Sequence, residues 1–330
     1  MSGLEAAWAR LSAGRTPHGI AAALLPYTDT GRIDWAGFEQ LLSHIRAAGL
    51  DVAVNLDTGF GELLAPAERE AVLDAARACL GADTPFYAGA WPEGGADSAG
   101  SYAASLRAIA ARGARAVIVQ CPAMHGLGPA QKAALYAAIA RAAPPGALAF
   151  ELSPRFAPHG EIWDEETFAR LLAIEALAGA KHSSLERATE LRRLAARDRA
   201  RPDFRIYTGN DLAIDLVAYG SDYLLGLAGF APQRFAERDR ALAAGDLAFL
   251  SVGDDLQHLG NVAFREPVPG YKHAAAQFLH LLGVLEGDGV HPRAPRRPGA
   301  ERVLLFDCAL RLALLDDPER AWRERVEPYL

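Results

Sequence analysis

The chain has 330 residues, with 34 basic and 41 acidic side chains, a net charge of −7 and a pI near 5.7. That balance opposes binding to a phosphate backbone, and no basic stripe with interleaved aromatics is present, so nucleic acid is not an expected partner. No uninterrupted apolar run is long enough to span a bilayer, and the opening MSGLEAAWARLSAGR lacks a signal pattern. A membrane is therefore not expected either, and a cytoplasmic location is.

After an N-terminal extension over residues 1–18, short apolar runs alternate with amphipathic segments as far as residue 246. The first strand is expected in GIAAALLPY, Gly19 to Tyr27. Asp34 then caps a helix with Trp35, Phe38, Leu42 and Ile45 at helical spacing. DVAVNLD (Asp51 to Asp57) is the second strand, and its helix opens at Pro66 with Glu68 and Glu70 in the first turn. PFYAGAW, RAVIVQCP and GALAFELSP follow as strands three to five, with helices near Tyr102, Pro129 and Asp164. LAGAKHS is the sixth strand, FRIYTGND the seventh and SDYLLGLAGF the eighth. Cys79, Cys121 and Cys308 form no CxxC pair and imply reduced, buried thiols. Residues 247–330 read as amphipathic helices packed on the preceding unit, and Arg293, Arg296 and Arg297, mixed with prolines, read as a solvated loop.

Eight apolar strands, each followed by a helix, argue for a parallel sheet covered on both faces. The expected fold class is α/β, a (βα)8 TIM barrel with additional C-terminal helices. An open doubly wound sheet is the rival, but no GxGxxG motif marks a first turn.

Chemistry is expected at the C-terminal ends of barrel strands, and Lys181 stands there on strand six. The chain contains 31 arginines and only three lysines, Lys132, Lys181 and Lys272. Arginine stays protonated, whereas a desolvated lysine loses its proton and becomes a nucleophile for carbonyl carbon. The alternative is an exposed lysine, or one paired with a carboxylate. Ser183 and Glu186 fit a capping box that would start the next helix.

LAGAKHSS resembles the Schiff-base lysine segment of the dihydrodipicolinate synthase and N-acetylneuraminate lyase superfamily. ALLPYTDTGRIDWAGFEQLL, LDTGFGELLAPAERE, FELSP and YTGNDLAIDLVAYGSDYLLG resemble its other segments in the same order. The resemblance implies a cofactor-free lyase or aldolase working through an imine on Lys181, a small carbonyl substrate, and a homo-oligomer, tetramer or dimer. It also implies where substrate binds. The threonines that hold a 2-keto acid's carboxylate in that family fall on Asp57 and Thr58, beside Gly59. The proton-relaying tyrosine of strand five falls on Glu151, and a second relay tyrosine falls near Met124.

Glu151 is therefore expected as the general acid/base, with Arg155 as its nearest ion-pair candidate. Asp57, Thr58, Gly59, Arg155, Gly209 and Asn210 are the expected substrate-binding residues. Two carboxylates near one lysine suit a hydroxylated, uncharged substrate, because carboxylates accept hydrogen bonds from hydroxyls. Two other readings stand beside this one. One is a metal site built from His125, His159, His182 and Glu151 that polarises a carbonyl. The other is a non-catalytic ligand-binding relative, since fold does not fix function.

Overall fold

The computed structural model describes residues 14–93, 99–120, 122–158 and 160–330. Most of the expected N-terminal extension, together with Cys121 and His159, lies outside the described residues. Eight strands close into one parallel barrel in sequence order, with β1 pairing β8. They are β1 (Gly19–Ala22), β2 (Asp51–Val54), β3 (Tyr87–Ala90), β4 (Arg115–Ile118), β5 (Ala147–Leu152), β6 (Leu177–Ser183), β7 (Arg205–Thr208) and β8 (Asp222–Leu225). Most are shorter than the apolar runs that announce them. The ends of those runs, such as Asn55 to Asp57 after β2 or Gly209 to Asp211 after β7, leave the sheet to become mouth loops. Only β6 matches its expected span residue for residue.

The outer helices begin where the capping residues stand. Helix α1 (Trp35–Ala47) is capped by Asp34, whose carboxylate accepts from the Gly37 amide at 3.0 Å. Helix α2 (Pro66–Leu80) opens on proline, and Glu68 reaches back to the Ala65 amide at 2.8 Å. Helices α3 (Ala103–Ala111) and α4 (Pro129–Ala142) follow β3 and β4, and α5 (Glu165–Leu172) is capped by Asp164. Helix α6 (Arg187–Ala200) follows β6. Between β7 and β8 the expected helix is reduced to a 3-10 turn, Ile214–Tyr219, ended by Gly220 at φ 105°. The connection between Thr208 and Asp222 has just enough chain for a parallel crossover and none to spare for a full helix. Helix α7 (Pro232–Ala244) closes the alternation.

The tail folds as α8 (Ala248–Ala263), α9 (Tyr271–Leu281), α10 (Arg302–Arg311) and α11 (Pro318–Arg325). Helix α9 is buried along most of its length and delivers Tyr271 and Lys272 to the C-terminal end of the barrel. The arginine run is not uniformly solvated. Arg297 is buried, and its guanidinium donates to the carbonyls of Arg265 at 2.6 Å, Pro267 at 3.0 Å and Glu266 at 3.1 Å. It gathers the loop that sets the start of α9. Cys308 is buried as expected, while Cys79 is partly exposed.

Replacing Arg297 with alanine leaves those carbonyls without donors, at a cost of about 2–3 kcal/mol. The expected result is a lower urea midpoint with an unchanged m value.

Candidate active site

Strand alternation decides which side chains of β6 face the axis. Lys181 and Ser183 point into the barrel mouth, and His182 between them points out. Lys181 is only 8 % exposed. Its Nζ donates to Ser183 Oγ at 2.6 Å and lies 4.2 Å from the centre of the Phe150 ring. The mouth around it is walled by Ala22, Leu56, Phe150, Leu152 and Phe156, with Asp57, Thr58, Asp211 and Tyr271 as its polar groups. This cavity has a volume of about 10 Å³, room for roughly one water. Admission of a substrate therefore requires a wall side chain such as Phe156 to move. Larger depressions of about 590 and 660 Å³ open at the opposite end, around His18, Arg115 and Arg205. There the strands begin, away from the lysine and from the end where barrel chemistry sits.

The turn after β2 aims Asp57 and Thr58 at the axis. Leu56 O accepts from the amides of Gly59 at 3.1 Å and Gly61 at 2.9 Å, and Phe60 takes a left-handed φ of 59°. Lys272 Nζ bonds Asp57 Oδ1 at 2.8 Å and Glu62 Oε1 at 3.0 Å. The Tyr271 phenol lies 2.8 Å from Asp57 Oδ2 and 2.9 Å from Thr58 Oγ1. From the other side Gly209 presses on Lys181: a Cβ there would stand 2.7 Å from Nζ and 2.0 Å from Ser183 Oγ. Asp211 Oδ1 accepts from the Leu227 amide at 2.8 Å and completes the wall.

These surroundings set the protonation states. Burial pushes the Lys181 amine down to about 8, against the pull of Asp211, Asp57 and Glu190. Burial pushes the Asp211 carboxyl up to about 7, against its hydrogen bond from Leu227 and the attraction of Lys181. Each group thus shifts the other, and the pair titrates as a unit near neutrality. Burial would also push Lys272 down, but Asp57 and Glu62 outweigh it and hold its ammonium above the ordinary range. Burial and Asp57 raise Tyr271 well above an ordinary phenol, so it remains a donor.

The expected site is assembled in part. Lys181, Asp57 and Thr58 line the mouth, and Gly209 makes room for the amine. Glu151 does not reach it. The β5–β6 register slips between Ala147 and Leu148, which sets Phe150 opposite Lys181 and Glu151 opposite His182. Opposed residues share a face, so Phe150 enters the mouth and Glu151 lies behind the wall. There its carboxylate meets Arg193 at 2.5 Å, His182 Nδ1 at 2.6 Å and the Trp163 amide at 2.8 Å. Burial raises its pKa, but His182 and Arg193 outweigh that and hold it below the ordinary value. A carboxylate ion-paired behind the sheet, with its pKa lowered, is not placed to act as a general acid for the mouth.

Arg155 is also displaced. It is exposed and paired with Glu266, Nε to Oε1 at 3.1 Å, with no contact to Glu151. Gly59 closes the turn and does not line the cavity, and Asn210 uses Oδ1 on the Leu212 amide at 3.1 Å while its neighbour Asp211 faces the lysine. The capping box does not form either. The strand runs on through Ser183, Leu185 turns at φ 64°, and α6 starts at Arg187 without a side-chain cap. His125 and His182 do not converge with Glu151 on the mouth. His182 is held behind the sheet by Ser184 at 2.8 Å and Arg193 at 2.7 Å, and His125 is exposed after β4. Among the described residues no group of His, Cys, Asp and Glu is arranged to hold a metal ion.

Tyr271 and Lys272 carry the mouth's missing polar groups and were overlooked in the sequence. The signal was present, since Lys272 is one of only three lysines and all three are buried. Nothing local tied a tail helix to the second strand's turn.

A sequence profile described as the Dihydrodipicolinate synthetase family matches residues 16–301. The chain belongs to this family. A 4-hydroxy-tetrahydrodipicolinate synthase of Kosmotoga olearia is 30 % identical over 236 residues, covering 69 % of this chain and 76 % of that enzyme. This chain is accordingly a lyase. A monomeric dihydrodipicolinate synthase variant superposes with a TM-score of 0.78 at 22 % identity, over 90 % of this chain and 97 % of its own. The synthase of Thermotoga maritima gives 0.77 at 20 % identity over 91 % and 100 %, and that of Acinetobacter baumannii, solved with pyruvate, gives 0.76 at 20 % over the same shares. At those identities the superpositions establish the fold. No helix among the described residues is long and apolar enough to cross a membrane.

Two measurements test the geometry. Gly209→Ala must push Lys181 aside, and a displacement of about 1 Å is expected to slow its reaction with a carbonyl probe about 10²-fold. Acylation of Lys181 should rise with pH and level off above about 8, far below an ordinary lysine. Asp211 favours the ammonium, so Asp211→Asn should move that limb to lower pH, as peptide mapping of the modified lysine would show.

Proposed function

We propose that this lyase works through an imine on Lys181, formed with a small hydroxylated carbonyl compound. The neutral amine adds to the carbonyl carbon, and loss of water from the carbinolamine leaves an iminium. The iminium draws the electron pair of the bond broken next to it, in aldol cleavage or dehydration, and the reverse sequence is condensation. Because the iminium is the electron sink, the reaction requires no cofactor. Asp211 takes the acid/base role expected of Glu151. It faces the same cavity as Lys181, and burial raises its carboxyl into the range where both protonation states are populated at neutral pH. Ser183, in hydrogen-bond contact with Nζ, positions the amine.

The observation that carries this reading is an amine sealed in the mouth of the barrel with its pKa lowered by burial. Membership of the family supports it, and so does the Acinetobacter baumannii relative, solved with a small carbonyl compound, pyruvate. A ligand-binding role would not call for a desolvated amine beside a neutral-range carboxyl. We also expect a homodimer or homotetramer, although one structural relative is monomeric.

Incubation with a panel of keto acids and ketols under borohydride should add to the peptide containing Lys181 the mass of one substrate less one water plus two hydrogens. Lys181→Arg, which keeps the charge, should abolish the adduct and lower turnover by about 10³-fold or more. An adduct on another residue, or turnover surviving in Lys181→Arg, would falsify the assignment.

A further inference from the structure

The polar end of the mouth is already charged. Asp57 is nine-tenths buried, and its two oxygens are bound by Lys272 and Tyr271. Among the described residues Lys272 is the one ammonium at that end, and Asp57 and Glu62 both hold it. Asp211 stands across the cavity from them. An incoming carboxylate would meet the Asp57 carboxylate, a partly ionised Asp211 and an ammonium already paired with two carboxylates. A hydroxyl meets the opposite situation. The Asp57 carboxylate has about four lone-pair sites, two of them taken, so it still accepts from a hydroxyl proton, and Thr58 and Tyr271 supply oxygens beside it.

We propose that Lys272 locks Asp57 in place as an internal anion, and that this pair selects ketols, carbonyl compounds bearing a hydroxyl beside the reacting carbon, over 2-keto acids. The inference rests on the imine reading of Lys181 and adds the substrate class to it. Lys272 acts as a positioning residue: it holds the Asp57 carboxylate, and Asp57 contacts the substrate's hydroxyl. The smallest ketol with a carbon on each side of the carbonyl, hydroxyacetone, is the simplest probe of this preference. Removing Asp57's charge reverses the preference, because it leaves Lys272 bound to Glu62 alone and able to attract a substrate carboxylate.

The test is competitive borohydride trapping of hydroxyacetone against pyruvate. Each forms an imine with loss of water, hydride reduces the C=N bond, and the adducts on Lys181 differ in mass. The native chain should trap hydroxyacetone at least tenfold faster than pyruvate. Asp57→Thr, and the isosteric Asp57→Asn in case the first fails to fold, should shift that ratio at least tenfold toward pyruvate. A native chain that traps pyruvate as fast as hydroxyacetone overturns the inference, and so does a ratio unchanged in a folded variant. Either result leaves the imine on Lys181 standing. No adduct on Lys181 with any carbonyl compound overturns both. A mutation that merely loosened the fold would slow both adducts without moving their ratio.

Discussion

The structure depends on the cost of keeping a charge on Lys181. Barrel closure and the side chains Phe150, Leu152 and Phe156 remove water from Nζ, and a fully buried amine can lose several pKa units by that alone. Three carboxylates oppose the loss, Asp211 most strongly. The balance leaves an amine that titrates near neutrality, where it can both attack a carbonyl and hand back a proton. With more burial or fewer carboxylates the nitrogen would be neutral but without a proton partner. With a direct ion pair it would be locked as an ammonium.

Lys272 shows that second outcome. It is as buried as Lys181, yet its charge is reinforced because Asp57 and Glu62 bond it directly. Two lysines on the same cavity wall or just behind it are thus shifted in opposite directions, Lys181 down by burial and Lys272 up by its direct bonds to two carboxylates. The difference divides the mouth into a half around a lysine of lowered pKa and a half held by an ion pair. Tyr271, stacked on Phe264 at 4.3 Å between ring centres, ties the second half to the tail helices.

Behind the wall, Glu151, His182 and Arg193 form a second charged group, sealed from solvent. Arg193 also donates to Trp163 O at 2.7 Å, and Glu190 accepts from Thr208 at 2.9 Å and Ser221 at 2.5 Å. These bonds join β5, β6, β7 and the helix behind them, and so hold the strand that carries Lys181. Removing one partner of such a group strands a buried charge, at a cost of about 3–5 kcal/mol. The carboxylate expected to do chemistry instead holds the sheet in register.

The sequence by itself determined the barrel and put Lys181 at the tip of its sixth strand. Eight apolar runs, the caps Asp34 and Asp164 and the prolines at helix starts are local signals, and a lone lysine at a strand tip stands out among arginines. The family resemblance, not a local pattern, pointed to Asp57 and Thr58, which the fold brings to the mouth just past the end of β2. Which face Glu151 takes was decided only by the tertiary structure, because a one-residue slip in β5–β6 pairing exchanges the two faces and leaves no trace in composition. The partnership of Lys272 with Asp57 spans 215 positions of chain. No local pattern records a contact made by a helix packed back on a barrel, so the half of the site that depends on charge became visible only when the chain was folded.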